Sequence, residues 1–254
     1  MDKNKNYSFD TISIHAGSDG KNANNALNPP IYQTSTFVFD SIEHVEKVMS
    51  FESDDYVYTR GNNPTLRLFE NRMAALEEGS GAVAFASGMA AISSVLFSLL
   101  KPGDNVIVHK TLYGSSYNVV THVLPQYNVS YKITDLSDAD SLLDLIDENT
   151  KVIYFETPSN PNLTIIDIKK VCEIAQNKNV KVVVDNTFAT PYFQRPLTLG
   201  ADVVVHSATK YICGHGDVVG GVAISKNIDY IHYLKFDYMC EFGGVMSPFN
   251  AWLL

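Results

Sequence analysis

Four polar segments that could carry chemistry each follow directly after an apolar run of the sequence. They are 87–89 (SGM), 156–161 (ETPSNP), 185–187 (DNT) and 207–210 (SATK). Gly88 at a helix start would leave backbone N–H groups free for a phosphate, and Ser207 and Thr209 would add hydroxyl donors. Asp185 at a strand end can pair with a protonated ring nitrogen, and the amine of Lys210 can form a Schiff base with an aldehyde.

Phosphate, ring nitrogen and aldehyde are the three groups by which a protein holds and tunes pyridoxal 5′-phosphate (PLP). Taken singly, these residues have ordinary structural explanations. Asp185 could cap a turn, Lys210 could be a solvated surface lysine, and Ser87-Gly88 could be no more than a helix start. The prediction of a PLP site therefore depends on their joint occurrence at predicted strand ends.

The elements that must position these residues alternate along the chain. Short apolar runs predict strands at 82–86, 105–109, 151–155, 181–184 and 202–206, and helical periodicity marks 88–100, 137–146 and 167–177. A further helix is predicted to begin at Pro64, capped by Asn63, and to close at Gly79. Runs as apolar as VVV suit strands that are buried on both faces. The sequence therefore predicts an α/β fold with a mostly parallel sheet flanked by helices, whose strand ends gather the polar segments.

The first part of the chain has a different character. Residues 1–60 are rich in Asn, contain Pro29-Pro30 and show little periodicity, which predicts an extended N-terminal arm. Tyr56, Tyr58 and Arg60 alternate as one face of an extended segment would. Residues 61–254 are the predicted cofactor-binding domain.

Composition excludes several classes of function. With 19 Lys and Arg against 28 Asp and Glu, the formal charge is −9, which disfavours a nucleic-acid partner. The uncharged stretch 79–100 is interrupted by Gly and Ser, so it predicts a buried strand, turn and helix instead of a membrane span. The three cysteines form no CxxC pair, which predicts neither a disulfide framework nor a metal site and favours a reducing, cytoplasmic setting.

Six segments together resemble the signatures of one enzyme family, in family order and across nearly the whole chain. They are YTRGNNPT (58–65), ASGMAA (86–91), TLYG (111–114), ETPSNPN (156–162), VVDNTFATPYFQRPL (183–197) and HSATKYICGHGDVVGG (206–221). The chain is similar in these segments to the Cys/Met-metabolism family of PLP-dependent enzymes. The resemblance implies the large domain of the aspartate-aminotransferase-like fold, with PLP as cofactor.

The resemblance also implies a role for each motif residue. Lys210 would bind the cofactor covalently and then move protons between substrate carbons, while Asp185 would keep the pyridine nitrogen protonated. Tyr113 would stack on the ring and act as acid or base near the leaving group. The remaining residues would bind the cofactor: Gly88, Met89, Ser207 and Thr209 at the phosphate, Asn160 near the phenolic oxygen, and Tyr58 and Arg60 at the phosphate of a neighbouring subunit.

Shared sites imply a homo-oligomer, at least a dimer and by expectation a tetramer, in which the arm of residues 1–60 contacts the neighbouring subunit. Members of the family continue past residue 254 into a smaller C-terminal domain, which carries the arginine that binds the substrate carboxylate. The resemblance therefore leaves a non-catalytic alternative open, namely a chain that binds the cofactor without turning substrate over.

The implied activity is elimination or replacement at the γ carbon of an amino acid. The segments GHGDVV (214–219) and IYQTSTFVFDS (31–41) favour members that convert L-methionine to methanethiol, α-ketobutyrate and ammonia. Such members typically have Cys after TLYG, where this sequence has Ser115, so Ser115 is expected to bear on substrate selectivity. The alternatives are sulfhydrylation of O-acetylhomoserine and the cleavage or synthesis of cystathionine.

Overall fold

A computed structural model describes residues 7–18, 22–50 and 52–254. In this part of the chain, seven strands form one mixed sheet in the order β1-β7-β6-β5-β4-β2-β3. Strand β7 is antiparallel to both of its neighbours, and every other adjacent pair is parallel. The strands are β1 (Gly81–Phe85), β2 (Asn105–His109), β3 (Ser130–Thr134), β4 (Thr150–Glu156), β5 (Lys181–Asp185), β6 (Val203–His206) and β7 (Gly221–Ser225).

The five predicted strands are confirmed within one or two residues, and two strands were missed. Strand β3 lies at the sheet edge, and its SYKIT sequence is half-exposed or exposed throughout, so it lacks the apolar signal of a buried strand. Strand β7 follows a glycine-rich loop and enters between β1 and β6. The entry is tight, because a Cβ at Gly221 would lie 2.2 Å from the backbone oxygen of Ser87.

Helices cover both faces of the sheet, which confirms the predicted α/β class. They are α1 (Phe9–His15), α2 (Ile42–Met49), α3 (Pro64–Leu76), α4 (Gly88–Leu99), α5 (Gly114–Asn118), α6 (Leu142–Leu145), α7 (Ile168–Gln176), α8 (Thr190–Phe193), α9 (Ile228–Tyr233), α10 (Cys240–Phe242) and α11 (Pro248–Leu253). Wider π-helical turns lie at Val119–Val123 and Leu234–Met239, and 3₁₀ turns at Ala23–Asn25, Leu124–Tyr127, Ala139–Ser141 and Pro196–Leu199. None of the helices in these described ranges is long and apolar enough to cross a membrane.

Local capping fixes where the helices begin. The Asn63 side chain accepts a hydrogen bond from Thr65 N at 2.9 Å and Pro64 opens α3, as predicted. The predicted helix over 137–146 is wrong in its first half. Ser137 donates to Asp135 instead of capping, at 2.6 Å, and a 3₁₀ turn capped by Asp138 precedes the single turn of α6. The side chains of this segment satisfy the local backbone, which leaves only a short helix.

The core is divided between the two faces of the sheet. On one face, Val83, Val183 and Val205 pack with residues of α4 and α9. On the other face, one cluster joins β4 and β5 to α7, and another joins β1, β6 and β7 to α3 and α11. The strands in the middle of the sheet are therefore covered on both sides, as their uniformly apolar sequences predict.

The N-terminal segment contains the helices α1 and α2, which its weak periodicity did not predict. Three of its large apolar side chains are strongly exposed in this chain: Leu27 is 96%, Val38 97% and Ile42 74% exposed. The alternating segment that ends at Tyr58 pairs with Thr36 through an isolated antiparallel bridge, and the chain then turns at 59–61. The segment is therefore extended only in part.

Candidate active site

The turn from β1 into α4 forms one wall of a cleft at the carboxyl ends of the parallel strands. The Ser87 side chain caps the helix by accepting a hydrogen bond from Ala90 N at 3.1 Å, and Gly88 is its first residue. A Cβ at Gly88 would lie 2.7 Å from the Cβ of Ser207 and 2.9 Å from its Oγ. Glycine is therefore required for Ser207 to lie against the helix start, where unpaired backbone N–H groups favour a phosphate.

Asp185 ends β5 and is buried at the floor of the cleft. Its Oδ1 accepts hydrogen bonds from Thr187 N at 3.0 Å and from Thr187 Oγ1 at 2.5 Å. Thr187 Oγ1 in turn accepts from Ser207 N at 2.9 Å, which ties the ends of β5 and β6 together. Burial raises the pKa of Asp185, because a buried carboxylate charge is costly without a compensating cation.

A buried hydrogen-bond network holds the residues that adjoin Asp185 and Ser207 in the chain. Glu77, which caps the end of α3, accepts at Oε1 from Asn186 Nδ2 at 2.9 Å and lies 2.7 Å from His206 Nε2. All three side chains are fully buried. The network fixes the two strand ends, and the nearby His206 also lowers the pKa of Asp185, although burial outweighs it.

Thr209 and Lys210 follow β6 in a turn. The hydroxyl of Thr209 donates to Gly220 O at 3.1 Å and accepts from Gly220 N at 3.0 Å, which fixes this turn against the residue that precedes β7. The Lys210 side chain is exposed and lines the cleft. Within the ranges that the structure describes, its amine has no hydrogen-bond partner and is available to a ligand.

Tyr113 and Asn160 form the opposite wall, because they follow β2 and β4, whereas Lys210 follows β6 on the other side of β5 in the sheet. Tyr113 directly precedes α5 and its side chain is 47% exposed, while Asn160 lies in the loop after β4. The carboxylate of Glu156 accepts hydrogen bonds from both backbones, from Tyr113 N at 2.6 Å and from Asn160 N at 3.4 Å.

The cleft has a volume of about 380 Å³ and gathers eight of the predicted residues. These are Gly88, Met89, Tyr113, Asn160, Asp185, Ser207, Thr209 and Lys210. It is also lined by Ser87, Ile92, Glu156, Pro158, Thr187, Phe188 and Val219. Sequence reasoning gave Glu156 and Thr187 no role, although both stand at strand ends, where the other site residues were found.

Three predicted residues do not line this cleft. Tyr58 is 46% exposed, and the Arg60 guanidinium lies 5.6 Å from the centre of its ring. Arg60 Nη1 donates to Cys240 O at 3.2 Å and lies 3.7 Å from Glu241 Oε1. Ser115 is half-buried in the first turn of α5. The roles predicted for these three residues stay predictions.

The residues present fit PLP. The helix start at Gly88 with Ser207 offers a phosphate seat, and Lys210 offers an amine without a partner in the described ranges. Buried Asp185 forms no ion pair with the described residues, and a protonated ring nitrogen would supply that cation. No group of three or more His, Cys, Asp or Glu side chains that could hold a metal lies in 7–18, 22–50 or 52–254. The three cysteines are buried free thiols.

Comparison with known proteins gives concordant matches. The chain is 47% identical over 253 residues to an L-methionine gamma-lyase of Fusobacterium nucleatum subsp. polymorphum, covering 98% of this chain and 63% of that protein. The structure of metB from Corynebacterium glutamicum matches with a TM-score of 0.91 at 40% identity, covering 97% of this chain and 62% of that one. A putative O-acetylhomoserine (thiol)-lyase of Campylobacter jejuni, whose structure contains N'-pyridoxyl-lysine-5'-monophosphate, matches with a TM-score of 0.92 at 29% identity, covering 98% of this chain and 69% of that one.

The chain thus spans less than two thirds of the length of the methionine gamma-lyase that it matches. The sequence model of one family, described as Cys/Met metabolism PLP-dependent enzyme, matches residues 10–254. This match begins inside α1 and covers the whole sheet and every residue that lines the cleft. The chain belongs to the Cys/Met-metabolism family of PLP-dependent enzymes.

Proposed function

We propose that the protein binds PLP in this cleft and catalyses γ-elimination on a sulfur amino acid. The preferred substrate would be L-methionine, which reacts with water to give methanethiol, α-ketobutyrate and ammonia. One observation carries the proposal: the helix start at Gly88, the buried Asp185 and the unpaired amine of Lys210 converge on a single cleft. Family membership and the similarity to L-methionine gamma-lyases support it.

The residues at the floor of the cleft would bind the cofactor, and the Lys210 amine would take part in the reaction. When bound, PLP would supply an electron sink for negative charge that develops on the substrate carbons. Asp185 would hold a proton on the ring nitrogen, and Ser207 and Thr209 would donate hydrogen bonds to the phosphate beside the backbone of Gly88 and Met89. The Lys210 amine would hold the cofactor covalently, and it would also take the proton from the α carbon of the substrate.

Tyr113 and Asn160 would act from the opposite wall. The exposed ring of Tyr113 would stack on the cofactor, and its hydroxyl would move a proton at the departing sulfur. The Asn160 side chain would donate to the phenolic oxygen of the cofactor. Ser115, two residues beyond Tyr113, would influence which γ substituent is accepted.

The arm would complete the site of a second copy. Tyr58 and Arg60 do not line the cleft of their own chain, and Leu27 and Val38 are almost fully exposed on the same arm. Burying these side chains against a partner would stabilise a dimer, in which Tyr58 and Arg60 would reach the partner's phosphate. We expect residues 1–60 to be this arm, residues 61–254 the cofactor domain, and the assembly to be a tetramer in the cytoplasm.

Two other activities are alternatives to this proposal. Replacement at the γ carbon of O-acetylhomoserine is favoured by the likeness to the Campylobacter (thiol)-lyase, and cleavage or synthesis of cystathionine would use the same groups. A chain that binds PLP without turnover is the non-catalytic alternative.

The test combines a spectrum with a substrate panel. Purified protein mixed with PLP should develop a visible absorbance band from the lysine-bound cofactor, and its absence would exclude the proposal. The panel offers methionine, cystathionine, and O-acetylhomoserine with sulfide, while α-ketobutyrate and methanethiol are measured. Release of both products from methionine is expected. Consumption of O-acetylhomoserine alone would favour replacement, and binding without product from any substrate would favour the non-catalytic alternative.

A further inference from the structure

Glu156 lines the cleft without a part in the roles proposed above. It is the last residue of β4 and only 5% exposed, and its register partner in β5 is Asp185. Two carboxyl groups thus end adjacent parallel strands at the floor of the cleft. A buried carboxyl group usually requires a specific partner, because the burial of an unpaired charge is costly.

The partners of Glu156 are two backbone amides from different segments. Oε1 accepts from Tyr113 N at 2.6 Å, and Oε2 accepts from Asn160 N at 3.4 Å. Tyr113 precedes α5 after strand β2, whereas Asn160 lies in the loop after β4. One carboxyl group therefore joins the two residues that form the wall opposite Lys210.

This arrangement is not the one that would stabilise the fold best. No cation pairs with Glu156 among the described residues. Burial and the neighbouring Asp185 carboxyl raise the pKa of Glu156 to about 7, against the opposing effect of the Tyr113 and Asn160 amides. The buried hydroxyl of Tyr154, on the same strand, adds no positive charge. A group held at such a cost inside a cleft points to a role in the site.

We propose that Glu156 is a positioning residue that fixes the backbones of Tyr113 and Asn160 on one wall of the cofactor cleft. The effect of this positioning on the cofactor rests on the proposed function, because Tyr113 must be held where its ring can stack on PLP. Each amide would otherwise turn toward water, and the exposed Tyr113 side chain would move with its backbone. Small displacements of such groups weaken binding and chemistry.

The experiment compares E156M, which removes both acceptors at similar volume, with E156Q, which keeps an oxygen for Tyr113 N. The control is T157V in the next residue, whose buried hydroxyl accepts from Ile166 N at 2.9 Å and does not line the cleft. Two quantities are measured on the 254-residue chain. Amide hydrogen exchange of segments 111–117 and 158–163 is followed without cofactor, and the dissociation constant for PLP is determined by titration.

We expect E156M to exchange about tenfold faster in segment 111–117, which loses the hydrogen bond of Tyr113 N, and to bind PLP about tenfold more weakly. E156Q should stay within about threefold of the unmodified protein in both, since the stronger bond survives. T157V should leave segment 111–117 and PLP binding unchanged.

Three results would overturn the positioning role. The first is E156M with exchange and PLP affinity like those of the unmodified protein, and the second is E156Q impaired as strongly as E156M. The third is faster exchange spread through β5 and β6, which would indicate a general loss of stability. Failure of the unmodified chain to bind PLP would instead count against the proposed function, and the exchange measurement would still decide the role of Glu156.

Discussion

The floor and the exposed edge of the cleft are built differently. The floor, formed by Gly88, Asp185, Thr187 and Ser207, is buried or half-buried, and its residues contact one another through short hydrogen bonds and close packing. The edge residues Tyr113 and Lys210 are exposed. Binding groups that must not move are thus fixed by the fold, while groups that must react are left free of protein partners. Substitutions should therefore separate the two regions.

The largest effect is expected at the edge. K210A should lower turnover on the order of 10⁴-fold and abolish the absorbance of lysine-bound cofactor, because Lys210 is the one lysine among the described residues that line the cleft. The free energy of unfolding of the cofactor-free protein should change by less than about 0.5 kcal/mol, since the side chain is exposed. Chemical denaturation checks this, with K226A as a control at an exposed lysine outside the cleft. A large loss of stability in K210A would contradict the division between a floor that is fixed by the fold and edge groups that are left free of protein partners.

Glu156 connects the floor to the opposite wall, and its charge should make stability depend on pH. Its pKa is raised to about 7 by burial and by Asp185, so the folded state binds a proton that the unfolded state has released. Stability from this group is therefore complete below pH ~4.5 and is lost as the pH rises through about 7. The side-chain amide that replaces the carboxyl in E156Q does not titrate in this range, so this variant lacks the pH-dependent contribution. Relative to the unmodified protein, its free energy of unfolding should rise by about 3 kcal/mol from pH 4.5 to 8, at 1.36 kcal/mol per pKa unit. A constant difference across this range would show that the carboxyl titrates normally.

At the floor, D185N should weaken cofactor binding more than it weakens the fold. The amide cannot supply the charge that a protonated ring nitrogen needs, so the dissociation constant for PLP should rise roughly 10- to 100-fold. The cofactor-free protein should be as stable as before or more stable, because a buried carboxyl of raised pKa is removed. Titration with PLP and denaturation check the two expectations, with the exposed D229N as control. Unchanged PLP affinity would contradict the role of Asp185.

G88A should show the smallest but most general effect. Its Cβ would lie 2.7 Å from Ser207, so either the helix start or the end of β6 must shift. We expect a loss of about 1–2 kcal/mol in the free energy of unfolding together with weaker PLP binding. The matched control is G114A, where a Cβ would contact nothing within 4 Å. Equal stability of the two variants would show that the close approach is unimportant.

The sequence predicted the parts of the site that depend on local signals. Ser87 caps α4 and Asn63 caps α3 through contacts within a few residues, and the valine runs mark the buried strands. Strand ends then place Asp185 and Lys210 together. Family motifs, not periodicity, singled out Tyr113 and Asn160.

The other features of the site and the fold depend on contacts between distant segments, which no local sequence pattern indicates. The bond from Tyr113 N to Glu156 joins residues 43 positions apart, and nothing in the sequence near either one indicates it. Strand β7 pairs with the preceding strand β6 and also with β1, the first strand of the chain's sheet, and no local pattern indicates this second pairing. In the N-terminal segment, α2 is short and its apolar residues include exposed Ile42 and Met49 as well as buried Val48, so its sequence pattern does not indicate what it packs against.

The position of β7 has a consequence for folding during synthesis. Strands β1 and β6 lead to the two halves of the phosphate seat, Gly88 and Ser207, yet they are bridged in the sheet by β7, which comes after both of them in the chain. The close contact of Gly221 with Ser87 belongs to that same bridge. Because bringing distant segments together costs chain entropy, we expect the halves to separate readily in a nascent chain that ends before Gly221. A ribosome-bound chain would then bind PLP only after β7 has emerged and has paired with β1 and β6.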